Sequence, residues 1–158
     1  MRVKHDGAAL CVRFECEDSD PWATMTQRDG PLWEEEVVEV FIDPVGDGEC
    51  YFEFEVNPLG TLLDLVLRRN RSGYAKDFAW ACDGFEAPVE RTAVGWTAEL
   101  RIPFASIAAE APLPGAEWRV NFTRIDRPRD GEWELTAWSP TLLGTFHAVE
   151  RFGAMRFL

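Results

Sequence analysis

The stretch Trp33–Asp43, WEEEVVEVFID, decides the fold. Read with the two-residue period of a strand, Val38, Val40 and Ile42 fall on one face. Val37, Glu39, Phe41 and Asp43 fall on the other. The first set is entirely β-branched and suits a packed interior. The second mixes carboxylates with an aromatic ring. It reads as a partly open, acceptor-rich sheet surface, because an unpaired carboxylate is costly to bury.

Working outward, the same alternation recurs. ALCVRFEC places Leu10, Val12, Phe14 and Cys16 on one face. YFEFEVN separates Phe52, Phe54 and Val56 from Tyr51, Glu53, Glu55 and Asn57. GWTAELRIP places Trp96, Ala98, Leu100 and Ile102 together. TLLDLVL, WRVNFTRID, ELTAWSP and FGAMRFL read as further strands, PFASIAAEA as a short helical turn, and RRNRSGYAKD as a polar loop. The segment from Glu17 to Pro31 is a long polar loop, of the kind that often carries function. Short strands divided by Gly, Pro and Asp turns predict an all-β fold, an antiparallel β-sandwich of jelly-roll or immunoglobulin-like two-sheet architecture. Strands 37–43 and 51–57 are expected to be hairpin neighbours, so that Glu39 and Phe41 share a face with Tyr51, Glu53, Glu55 and Asn57. The expected core holds Val38, Val40, Ile42, Phe52, Phe54, Val56, Trp96, Leu100 and Phe122.

At 158 residues the chain reads as a single domain, residues 1–158, with enough bulk for its own core. Hydrophobic residues at 46% exclude an intrinsically disordered chain. A net charge of -12 argues against nucleic acid and against an anionic membrane as partner. No apolar run approaches the roughly 20 residues of a membrane-spanning helix, and MRVKHDGAALC carries no signal-peptide core. Cys11, Cys16, Cys50 and Cys82 lack metal-ligand spacing, and with only His5 and His147 a zinc site is disfavoured; buried free thiols are expected.

The chemistry of the outer face leaves two readings. Glu39, Glu53, Glu55 and Glu99 could supply a glycosidase pair, but nothing in the pattern singles out two of them. No nucleophile elbow, zinc-protease motif or phosphate loop is present. Sugar recognition needs a flat apolar ring beside planar polar groups. Trp33 beside Glu39, with Asn57 and Asn121, meets that need. Trp80, Trp96 and Trp118 read as structural, whereas Trp22, Trp33, Trp133 and Trp138 lie near loops.

LCVRFECEDSD, then WEEEVVEVFID, YFEFEVNPLGTLLD, GWTAELRIPF, WRVNFTRIDRP, WSPT and FHAVERFGAMRF resemble, in order and spacing, the family 9 carbohydrate-binding modules and their DOMON-like relatives. The resemblance implies non-catalytic binding of an oligo- or polysaccharide, with a sugar ring held between two aromatics and its hydroxyls held by polar groups of the sheet. It places the first aromatic on Trp33 and the ligand-contacting glutamate on Glu39. The second aromatic falls on Phe146, where the family has Trp. A sugar-binding Arg falls on Glu55, which turns a donor into an acceptor. A further ligand-facing polar group falls on Asn121 or Thr123. Structural calcium in acidic loops is also implied, and Asp18, Asp20, Asp43, Asp47 and Glu49 are the oxygen donors available in turns. Relative to the family pattern, the segment before LCVRF is expected to be missing. An upstream start would make the protein secreted or periplasmic; otherwise it is cytoplasmic. Three alternatives stay open: a glycan hydrolase using Glu39 and Glu55, a haem or redox sandwich using Met25, Met155 or His147, and a scaffold that has lost its ligand.

Overall fold

A computed structural model describes residues 1–108 and 110–158. In chain order the strands are β1 (Arg2–His5), β2 (Ala9–Glu17), β3 (Val37–Asp43), β4 (Cys50–Val56), β5 (Leu62–Asn70), β6 (Gly73–Asp77), β7 (Val89–Thr92), β8 (Gly95–Pro103), β9 (Glu117–Asp126), β10 (Glu134–Ala137) and β11 (Gly153–Arg156). A single helical turn, α1 (Phe104–Ile107), follows β8. They form two antiparallel sheets, the predicted sandwich. The smaller runs β1-β2-β8-β7 and the larger β10-β9-β3-β4-β5-β6. β11 shares an edge of β9 with β10: β10 pairs residues 123–126 and β11 pairs residues 117–120.

Between the sheets lies the first core. β2 contributes Leu10, Val12, Phe14 and Cys16, and β8 contributes Trp96, Ala98, Leu100 and Ile102. The large sheet answers with Val38, Val40, Ile42, Phe52, Phe54, Val56 and Phe122. Every residue expected in the core is there, in the register set by the hairpin pair Val40↔Phe54.

The opposite face of the large sheet departs from expectation. Glu39, Phe41, Tyr51, Glu53, Glu55 and Asn57 do share it, but it is not an open surface: all six are buried. A second core covers them, built from Leu32, Phe41, Tyr51, Leu63, Leu65, Leu67, Ile125, Val149 and Phe152. Alternation within β3 and β4 could not reveal this, because the face is flanked by β5 and covered by segments distant in the chain, among them Leu32, Val149 and Phe152. RRNRSGYAKD is likewise a strand pair rather than a loop, with Asn70↔Gly73 closing the β5–β6 hairpin. Arg2–His5, to which no strand was assigned, pairs with β2 as an edge strand.

The first glutamates of the opening stretch turn out to fasten the long loop. Glu35 accepts the Thr24 and Met25 backbone N–H groups at 2.7 and 3.1 Å, together with the Thr24 hydroxyl. Glu36 accepts the Trp22 N–H at 3.0 Å. The loop Glu17–Pro31 is thereby tied to the base of β3. The four cysteines are free, and all but Cys50 are buried.

Candidate functional site

Antiparallel pairing sets the outer-face residues in rows. One row across β9, β3, β4 and β5 reads Thr123, Glu39, Glu55, Leu63. The next reads Asn121, Phe41, Glu53, Leu65. Glu39 and Glu55 are thus direct cross-strand neighbours, an arrangement of like charges that destabilises a sheet unless protons or cations intervene. Lys76, opposite Leu67 on β6, approaches Glu53 to 3.9 Å.

Above the rows opens a pocket of about 770 Å³, within the range of small-molecule sites. Its floor holds Glu39, Phe41 and Glu53, and Lys76, His147 and Arg127 add polar groups. Trp33, Phe146 and Trp133 supply aromatic surface. Trp33 is carried on the 3-10 turn Leu32–Glu34, whose Leu32 is fully buried, and the Lys76 ammonium lies 5.3 Å from its ring centre. The Arg127 guanidinium stacks on Trp133 at 3.4 Å.

The far wall, residues 138–147, is pinned at both ends. Asn121 donates its amide to the Ser139 carbonyl and accepts the Ser139 N–H, each at 2.9 Å. The Trp138 ring packs directly against Gly153, so a side chain there would have to displace the ring. At the other end His147 bonds the Tyr51 hydroxyl through Nδ1 and Lys76 through Nε2, both at 2.9 Å. Lys76 as an ammonium can only donate. Nε2 therefore accepts, and the proton sits on Nδ1, pointing at Tyr51. Burial, followed by the Lys76 charge, pushes the His147 pKa down to about 4, so the ring is neutral near pH 7.

The carboxylates shift the other way. Burial, then the Glu53 charge, pushes Glu39 up to about 8. Glu55 is raised well above its ordinary range by burial and then by Glu39 and Glu53; burial also raises Glu53. Thr123 donates its hydroxyl to Glu39 and so fixes its rotamer.

Of the residues expected to contact sugar, Trp33, Glu39 and Phe146 line this pocket. Glu55, Asn121 and Thr123 do not: they are buried behind it, where Thr123 orients Glu39 and Asn121 holds the wall. The polar lining Lys76, Arg127 and His147 was not singled out as sugar-contacting by sequence reasoning. Glu39 makes no pair with Arg101 or Arg124, which bind Asp6 and Asp18 respectively. The acidic loop residues are dispersed. Asp18 pairs with Arg124 and Asp20 with Arg129. Asp43 caps the backbone of Val45, Gly46 and Gly48, and Asp47 caps Glu49. Asp18 instead clusters with Glu36 and Asp126. Met25 and Met155 pack on opposite faces of the large sheet, apart from each other.

A two-sheet sandwich with an aromatic-lined, polar-floored pocket on the outer face of its large sheet defines the class. The model for carbohydrate-binding family 9 matches residues 1–157, and the chain belongs to that family. A search of curated proteins returns no match. Among solved structures, a Bacteroides uniformis protein provisionally assigned as carbohydrate-binding superposes with a TM-score of 0.82 at 21% identity, covering 99% of this chain and 77% of its own. A family 9 carbohydrate-binding module from Caldicellulosiruptor kristjanssonii, in complex with glucose, gives 0.72 at 17% identity, covering 99% and 74%. The module from that organism in complex with cellotriose gives 0.66 at 16%, covering 98% and 72%.

Proposed function

We propose that the chain binds the end of an oligo- or polysaccharide in this pocket, without catalysis. The observation that carries the reading is the convergence of Trp33, Phe146 and Trp133 on the same cavity as Glu39, Lys76, Arg127 and His147. Aromatic faces take the C–H side of a sugar ring, and the polar groups around them take its hydroxyls. Cationic Lys76 and Arg127 add donors, which offsets the absence of an arginine at position 55. Family membership and the glucose- and cellotriose-bound relatives support a glucan-type ligand. A hydrolase using Glu39 and Glu55 is disfavoured, because Glu55 is fully buried and does not line the pocket. Titration calorimetry with glucose, cellobiose and cellotriose, backed by a glycan array, tests the reading. Saturable binding to a sugar, weakened about tenfold or more in Trp33→Ala, is expected. Absence of binding across the array overturns it.

A further inference from the structure

Beneath the pocket, Glu39, Glu53 and Glu55 each bring a carboxylate oxygen within 4.8 Å of the other two. All three side chains are at least 98% buried, with exposures of 2%, 2% and 0%. Both oxygens of Glu55 and one of Glu53 have no hydrogen-bond donor from outside the cluster among the described residues. They face their neighbouring carboxylates across β3 and β4, and the nearest ammonium, Lys76, is 3.9 Å from Glu53. A buried carboxylate group of this kind is costly unless a positive charge joins it. Glu39 and Glu53 line the pocket while Glu55 lies behind them, so the cluster opens on one side only.

We infer that Glu39, Glu53 and Glu55 form a binding site for one hard divalent cation, of the calcium class, at the pocket floor. The donors are all oxygen, which selects calcium, magnesium or manganese over the softer metals. Calcium holds its ligands at about 2.3–2.6 Å, so oxygens on opposite sides of it lie about 4.6–5.2 Å apart. The three carboxylate oxygens, all within 4.8 Å of one another, are close enough to converge on one such ion. Magnesium demands a near-ideal octahedron at about 2.0–2.1 Å and gives up its waters reluctantly, so a floor of buried carboxylates suits calcium better. Glu55 forms the inner wall of the site, and the positions left open point to the pocket, where water or a ligand hydroxyl completes the shell. This deepens the carbohydrate reading, but cation binding itself needs no sugar. It is also separate from the acidic loops, because none of Asp18, Asp20, Asp43 and Asp47 belongs to the cluster.

The test is calcium titration of the sugar-free, EDTA-stripped protein, by calorimetry and by melting. Wild type is expected to take up one calcium and melt several degrees higher in excess calcium. Magnesium should act at least tenfold more weakly. Glu55→Gln, nearly the same shape and outside the pocket lining, should abolish the response, whereas the double variant Asp20→Asn/Asp47→Asn should keep it. If Glu55→Gln does not fold, Glu39→Gln takes its place. Terbium emission excited through tryptophan, and quenched by calcium, gives a second readout. A wild type indifferent to calcium means that protons alone neutralise the cluster, and overturns the site. So does a response that survives Glu55→Gln, or one that is lost only in the loop double variant. Sugar binding with no calcium response would sink this inference and leave the carbohydrate reading standing.

Discussion

The two faces of the β3–β4 hairpin are equally buried and chemically opposed. Inward, Val38, Val40, Ile42, Phe52, Phe54 and Val56 meet the smaller sheet with nothing but carbon. Outward, Glu39, Glu53 and Glu55 lie under a second core with few partners. Burial of apolar area stabilises a sandwich by about 25 cal/mol per Å², and the inward face needs no other explanation. The outward face works against stability, since each charged form loses hydration and repels its neighbours. What the contrast teaches is that the same two strands can carry a purely apolar face and, on the other side, the carboxylates on which the proposed site is built.

The largest expected effect breaks the outward face. Burial, with lesser help from neighbouring acids, pushes Glu36 and Glu39 up to about 8. A folded-state pKa above the unfolded value means that the folded protein holds more protons. The stability these groups contribute is then complete below about 4.5 and lost as pH rises toward 8. In EDTA, melting should fall steeply between pH 5 and pH 8, a loss on the order of 5 kcal/mol at about 1.36 kcal/mol per pKa unit. Glu55→Gln should flatten the slope. A flat wild-type profile would show that these carboxylates are hydrated, and the contrast between faces would collapse. Next comes the inward face. Phe54→Ala, fully buried against Trp80 and Phe85, should cost about 3–5 kcal/mol at any pH. A cost that varied with pH would mean the faces are coupled.

The inward face was legible in the sequence and the outward one only in part, for a physical reason. Alternation says which residues share a face, and β3, β4, β8 and β9 obeyed it. It does not say whether that face is covered. Leu63, Leu65 and Leu67 on β5 flank the glutamates on the same face, and the cover includes Leu32 together with Val149 and Phe152, nearly a hundred residues downstream. Trp33, Glu39 and Phe146, to which the family resemblance pointed, line the pocket, because motif order survives where periodicity is silent. Glu55, Asn121 and Thr123, to which it also pointed, lie on the expected face but beneath the pocket. Lys76 and His147 sit in weakly patterned polar stretches; pairing of β6 with β5 brings Lys76 to the site, and the folding of 138–147 over the sheet brings His147.

A smaller effect should appear where the wall meets the sheet. Asn121→Ala removes two hydrogen bonds to Ser139 and leaves that backbone unpaired, at about 1–3 kcal/mol. Because the wall carries Phe146 and His147, melting and sugar affinity should fall together. A variant that melts lower yet binds as well as wild type would show that the wall plays no part in recognition.

The smallest expected effect on the fold comes at Trp33, and it separates the outward face's two roles. The ring is only partly buried at the margin of the second core, on a 3-10 turn held by Leu32. Its removal opens no cavity between the sheets, so Trp33→Ala should leave melting nearly unchanged. Its expected contribution is to the ligand. Aromatic stacking is worth about 0.5–1.5 kcal/mol beyond the area it buries, and the lost apolar contact adds to that. At about 1.4 kcal/mol per decade, affinity should drop roughly tenfold or somewhat more. Titration of the best glycan against wild type, Trp33→Ala and Trp33→Phe, with melting curves alongside, measures it. Trp33→Phe should recover part of the affinity, because a smaller ring still offers a face. Unchanged affinity in Trp33→Ala would move the sugar toward Trp133 and Phe146. A large fall in melting would instead make Trp33 a member of the second core, and the margin between cover and site would have to be redrawn there.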